Sequence, residues 1–112
     1  MKKVSLLIPF YNEQEVLPML YDRVKTLIDS NSMYNWEVLL VNDGSSDNSL
    51  CAVKQMHMRD SCFRYIDLSR NFGKEIAMLA GLDYVTGDCV VIMDADLQHP
   101  PELIPDMLKL WE

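Results

Sequence analysis

Val90-Val91-Ile92-Met93-Asp94-Ala95-Asp96 is an apolar, β-branched run that passes directly into two carboxylates one residue apart. A run of this length and composition predicts a strand covered on both faces. Side chains at i and i+2 project to the same side of a strand, so Asp94 and Asp96 converge where the strand ends. Such oxygen ligands suit a hard divalent cation, and Mg²⁺ is commonly held by one or two carboxylates together with substrate phosphates. Ligands of open α/β sheets sit beyond the carboxyl ends of the strands. Two surface carboxylates in a turn account for an isolated Asp-x-Asp equally well, so the pair takes its meaning from the rest of the chain.

Outward from this stretch, strand and helix patterns alternate four times. Residues 4–10 read as a first strand, broken by Pro9 and followed by Tyr11-Asn12-Glu13. A helix is predicted over 14–29, with Val16, Leu17, Leu20, Val24, Leu27 and Ile28 on one face. Asn12 and Glu15 have the spacing of a capping box at its start. After a polar loop, residues 36–41 read as a second strand, ending in Asn42-Asp43-Gly44-Ser45-Ser46-Asp47, which should cap a helix over 48–59. A third strand over 63–68 and a helix over 74–85, stopped by Gly87, come next. The fourth strand covers 89–93, and Pro100-Pro101 introduce a last helix over 102–111. The alternation predicts an open, mostly parallel, Rossmann-like sheet with helices on both faces, joined by right-handed crossovers.

Bulk composition narrows the function classes. At 112 residues the chain is one domain, short for an enzyme of two substrates. A net charge of −7 argues against a nucleic-acid surface, which needs a basic stripe, and no polybasic membrane anchor is present. Cys51, Cys62 and Cys89 lack metal-ligand spacing and read as free thiols in a reducing cytoplasm. Pro9, Asn12 and Glu13 interrupt any signal-peptide core after Met1-Lys2-Lys3. The longest apolar runs fall far short of the roughly 20 residues of a spanning helix, so a soluble chain is expected.

All four predicted strands end in polar clusters: Tyr11, Asn12 and Glu13; Asn42 and Asp43; Ser69, Arg70 and Asn71; Asp94 and Asp96. In a parallel sheet these ends share one edge, giving a rim of Glu13, Asp43, Asp94 and Asp96 beside Arg70 and Lys74. A carboxylate there accepts hydrogen bonds from ribose hydroxyls or a base N–H, and Lys74 is a suitable point charge for phosphates. Each residue also has a plain structural reading. Asp43 before Gly44 forms turns, Glu13 suits a helix N-terminus, and Arg70 can pair with a neighbouring acid. His57 and His99 have no second histidine at ligand spacing, and the methionines read as core filler. Lys74 at a helix start is poorly placed for the macrodipole, which favours a functional role. No serine or cysteine triad and no glycine-rich phosphate loop is present.

The order of the segments 4–13, 41–47, Arg70-Asn71-Phe72-Gly73-Lys74 and 93–101 resembles glycosyltransferase family 2. Asn71-Phe72-Gly73-Lys74 and Asp94-Ala95-Asp96-Leu97-Gln98-His99-Pro100-Pro101 are most similar to its polyprenyl-phosphate branch, the dolichyl-phosphate mannose synthases and bactoprenol glucosyltransferases. The resemblance implies the N-terminal half of an A-type glycosyltransferase fold. It implies that Pro9, Tyr11 and Glu13 line a nucleoside pocket, that Asp43 holds base or ribose, and that Lys74 reaches the diphosphate. Asp94 and Asp96 would bind Mg²⁺ or Mn²⁺, Asp96 also stabilising the leaving group, with Gln98 close by. The implied reaction moves a sugar, with inversion, from a UDP- or GDP-sugar to undecaprenyl or dolichyl phosphate at the cytoplasmic face of a membrane.

Relatives of this kind continue into an acceptor-binding half and often membrane helices, so residues 1–112 are expected to be the donor-binding part alone, able to bind donor but poor at transfer. The implied sheet order 3-2-1-4 leaves the strand over 89–93 at an edge, and a bare apolar edge invites self-association. A non-catalytic nucleotide-sugar-binding or regulatory module is the alternative. A receiver-type signalling domain fits less well, because it places its acidic pair after the first strand and its phosphoacceptor after the third.

Overall fold

The computed structural model describes residues 1–96 and 100–112. Its elements are β1 (Lys3–Phe10), α1 (Leu17–Ser30), β2 (Asn35–Asn42), α2 (Ser49–Arg59), β3 (Phe63–Asp67), α3 (Lys74–Leu82), β4 (Cys89–Ile92), a 3-10 turn (Pro101–Leu103) and α4 (Ile104–Trp111). The four strands form one parallel sheet in the order β3-β2-β1-β4. The parallel architecture is the one the alternation predicts, and the strand order is the one the resemblance implies.

Alternate residues of the central strands face two cores of unequal size. Val4, Leu6, Ile8 and Phe10 of β1, with Trp36, Val38 and Leu40 of β2, pack against Leu17, Leu20, Val24 and Leu27 of α1, Val53 and Met56 of α2, and Ile104 and Leu108 of α4. The opposite face is covered by α3, where Leu7, Leu39 and Val41 meet Ala77 and Leu68, Val85 and Val90 pack against them. Burying such aliphatic side chains contributes about 1.5–3 kcal/mol each, so the three-helix face carries most of the stabilisation.

The strand that suggested the fold departs from its reading. Val91 is buried in the larger core, while on the other face Val90 is half-buried against the smaller core and Ile92 is 45% exposed, so β4 is fully covered on one face and only partly on the other. It is an edge strand, and α3 lies over β1 and β2 rather than over it. Its apolar run resembles a doubly buried strand because β-branched residues also suit a half-covered edge.

Pro9 does not break β1. It lies inside the strand opposite Val41, and its missing N–H falls on the β4 side, beyond the last paired residue, Leu7 opposite Ile92. No ladder bond is lost there.

Helix α1 begins at Leu17, three residues later than the periodicity predicts, with Val16 at its N-cap and Pro18 in its first turn. The capping box is not formed. Asn12, at φ 53°, turns its side-chain oxygen to the backbone N–H groups of Ser46 and Asp47, at 2.8 and 3.3 Å. Helix α3 ends at Leu82, well before Gly87. Gly87 instead allows a close approach: its N–H donates to Ser5 Oγ at 2.9 Å, and a Cβ there would lie 2.5 Å from that oxygen.

Candidate nucleotide-sugar site

Three loops at the carboxyl edge of the sheet are tied into one rim. The loop after β1 is fastened to the loop after β2 by Asn12, by Ser45 Oγ accepting the Asn12 N–H, by Ser49 Oγ accepting the Glu13 N–H, and by Gln14 Oε1 accepting the Asn48 N–H. Asp47 joins them and starts α2: Oδ1 accepts from Ser49 N–H at 2.9 Å and Oδ2 from Gln14 N–H at 3.4 Å. Burial pushes the Asp47 carboxyl up, but these hydrogen bonds outweigh it and leave its pKa lowered. Asn42 closes the base of the rim, donating to Asp67 Oδ1 at 2.9 Å and accepting from Ser45 N–H at 3.0 Å.

The loop after β3 is held against this pair by Asp43 and Gly44. Asp43, 4% exposed, accepts the Phe72 N–H on Oδ1 at 2.8 Å and the Gly73 N–H on Oδ2 at 3.1 Å. Gly44, at φ 70°, lies so close to Arg70 and Asn71 that a Cβ would meet their backbone at 2.3 Å. The chain then enters α3 at Lys74, whose ammonium pairs with Asp94 Oδ1. The alternation of β4 continues past its end, with Met93 and Ala95 buried in the larger core. Asp94 and Asp96, the latter in the turn that follows, both face one cleft.

The result is a cleft of about 200 Å³ lined by Pro9, Phe10, Tyr11, Glu13, Asp43, Lys74, Asp94, Ala95 and Asp96. Among the expected residues, Pro9, Tyr11, Glu13, Asp43, Lys74, Asp94 and Asp96 meet there, drawn from all three loops and from the end of β4. Gln98 lies outside the described residues. Arg70 is not in the lining; its guanidinium stacks over the Phe72 ring at 5.0 Å. Burial and the charges of Asp96 and Asp47 push the Glu13 carboxyl above its ordinary value. Burial and the neighbouring Asp60 push the half-buried Cys62 thiol up to about 12.

Among the described residues no group of three or more His, Cys, Asp or Glu could by itself hold a metal ion. Two carboxylates one residue apart are the donor set for Mg²⁺ or Mn²⁺ when phosphate oxygens and water complete an octahedron. The residues thus fit a cation that binds together with a diphosphate. Sequence reasoning missed the fastening role of Asn12, Ser45 and Ser49. The signal was there in part, since an Asn before a predicted helix suits either a cap or a tight turn, but its partners come from a different loop.

A parallel sheet whose carboxyl edge gathers acids and a lysine around a polar cleft defines an open α/β domain with its candidate site at the strand ends. The chain belongs to glycosyl transferase family 2, whose model matches residues 5–112. It is 44% identical over 108 residues to the glycosyltransferase YkcC of Bacillus subtilis (strain 168), covering 96% of this chain and 33% of that protein. It is 49% identical, with the same coverage, to the undecaprenyl-phosphate 4-deoxy-4-formamido-L-arabinose transferase of Salmonella choleraesuis (strain SC-B67). The chain thus spans about a third of these relatives. The mannosyltransferase PcManGT of Pyrobaculum calidifontis, solved with GDP-Man and Mn²⁺, matches with a TM-score of 0.74 at 26% identity, over 85% of this chain and 28% of that one. The glucosyl-3-phosphoglycerate synthase of Mycobacterium tuberculosis, solved with Mn²⁺ and UDP, shares the fold at a TM-score of 0.70 and 23% identity, over 93% of this chain and 37% of that one. Among the described residues no helix is long and apolar enough to cross a membrane.

Proposed function

We propose that this chain is the donor-binding part of an enzyme that moves a sugar from a UDP- or GDP-sugar to a polyprenyl phosphate at the cytoplasmic face of a membrane. The observation that carries this reading is the single cleft formed by Pro9, Tyr11, Glu13, Asp43, Lys74, Asp94 and Asp96, contributed by separate loops and strand ends. The identity to an undecaprenyl-phosphate sugar transferase supports the choice of acceptor class.

In the whole enzyme a lipid phosphate oxygen attacks the anomeric carbon. The bond from that carbon to the β-phosphate oxygen breaks, and its electron pair leaves on the nucleoside diphosphate. Tyr11 and Pro9 form a wall for the nucleoside, while Glu13 and Asp43 offer acceptors to its hydroxyl and N–H groups. Asp43 also fixes the turn that carries Lys74, and the Lys74 ammonium reaches the diphosphate. Asp94 and Asp96 would hold Mg²⁺ or Mn²⁺, which when bound supplies charge neutralisation for the departing diphosphate. Residues 1–112 hold these donor groups, and the acceptor groups belong to the remaining length of such enzymes. The open β4 edge supports self-association of the isolated chain.

Calorimetry with UDP- and GDP-sugars, with and without Mn²⁺, on the wild type and on Asp96→Ala tests the reading. Metal-dependent binding lost in the variant is expected. Binding that needs no metal and survives Asp96→Ala overturns it.

A further inference from the structure

Lys74 and Asp94 form an ion pair at the mouth of the cleft, in the place where the donor-site reading puts a cation and a diphosphate. The position of the ammonium is not left to a mobile loop. Asp43 grips the two N–H groups that precede it, and Gly73 takes the positive φ of 103° that turns the chain into α3. The macrodipole of α3 gives the ammonium no support at this end, so its favourable partner is the Asp94 carboxylate. Both side chains keep contact with water, at 56% and 27% exposure, so exchange of partners needs no unfolding.

We propose that Lys74 is an exchangeable latch on Asp94: its ammonium occupies the carboxylate until a nucleoside diphosphate arrives with a divalent cation and takes the ammonium over. A compact charge on a flexible stem is suited to such a transfer. A divalent cation alone must displace the ammonium from Asp94 into water. A cation that arrives with a diphosphate brings phosphate oxygens to receive it. Cation and nucleotide therefore raise each other's affinity, and the coupling is reciprocal. This inference rests on the donor-site reading and adds to it an order of assembly, in which the cation is captured with the nucleotide rather than before it.

The test is Mn²⁺ binding, followed by the electron paramagnetic resonance signal of the free ion, with and without UDP or GDP. It uses the wild type, Lys74→Gln and, as a control for net charge, Arg70→Gln. The latch predicts that Lys74→Gln binds Mn²⁺ alone about two- to fivefold more tightly, the range for one exposed ion pair. The enhancement of Mn²⁺ affinity by nucleotide should shrink in the same variant and persist in Arg70→Gln. Lys74→Met serves as a second neutral variant, with circular dichroism to confirm folding. Unchanged or weaker Mn²⁺ binding in both neutral variants, or an equal effect of Arg70→Gln, overturns the latch while leaving the donor site intact. Absence of Mn²⁺ and nucleotide binding in every protein, wild type included, overturns the donor-site reading and the latch with it.

Discussion

The α3 face of β2 runs Glu37, Leu39, Val41, and its alternation leads on to Asp43, so buried carboxylates stand at both ends of one strand face. Their surroundings differ in one respect. Glu37, 3% exposed, is answered within the chain: Arg64 pairs with it at 2.6 Å, Ser5 Oγ donates at 2.6 Å, and the Thr86 N–H donates at 2.9 Å. Burial pushes its carboxyl up, but these donors and the nearby Lys3 outweigh it and leave its pKa lowered. Asp43 opens onto a cleft where, among the described residues, four acids face one lysine, and the Glu13 carboxyl is pushed up by burial and by Asp96 and Asp47. A carboxylate neutralised by its own chain marks structure. A surplus of carboxylates marks a place where positive charge is to come from outside.

Removing Glu37 should do the greatest damage. Glu37→Ala leaves the Ser5 and Thr86 donors without their acceptor and Arg64 without its partner. Breaking such a pair costs about 2–4 kcal/mol, toward the lower end because Arg64 can turn to water. Urea unfolding checks this, and nucleotide binding by the folded protein should be kept. A loss of nucleotide affinity with unchanged stability would erase the distinction between the two ends.

Gly44→Ala comes next. It places a Cβ against the Arg70–Asn71 backbone at a φ of 70°, and a cost of about 2 kcal/mol follows from the left-handed backbone and the overlap. Because Gly44 packs at the rim, the same substitution should also weaken nucleotide binding in calorimetry, which Glu37→Ala should not do.

The sequence made one end of this comparison legible and hid the other. The rim could be read because its residues sit immediately after strands, and parallel strands deliver their ends to one edge. Glu37 was present as an acid inside the apolar run 36–41, a placement that requires a buried partner. Its partners could not be named, because Ser5 is paired with it by the β1–β2 register and Thr86 arrives from the loop before β4. The start of α1 was misread for the same reason, since a tertiary bond from Asn12 to the next loop outcompeted a local cap. The edge character of β4 was legible only through the resemblance, because its composition reads as doubly buried.

At the rim, Asp96→Asn removes a charge that opposes Glu13, and the variant should stay well above Glu37→Ala in stability. Cation-dependent nucleotide affinity should fall by about tenfold or more, equal to about 1.4 kcal/mol per decade. Thermal melting with and without Mn²⁺ and UDP or GDP separates the two effects. A melting temperature lowered as far as that of Glu37→Ala would mean that Asp96, too, is structural.

The smallest effect is a difference in sign with pH. Glu37 is lowered, so the folded state holds its proton less tightly than the unfolded chain; its contribution is present above the ordinary glutamate value of 4.5 and is lost as pH falls through the folded value. Glu13 is raised, so the folded state binds its proton more tightly, and stability is lost as pH rises through the window above 4.5. In unfolding free energies measured against pH, Glu37→Gln should flatten the acid limb. Glu13→Gln should remove a shallow decline within that window, and saturating Mn²⁺ with nucleotide should lessen it in the wild type by offsetting the Asp96 charge, leaving the larger part that burial causes. Opposite slopes from two glutamates in one small domain would separate a carboxylate answered by the fold from one that awaits a ligand.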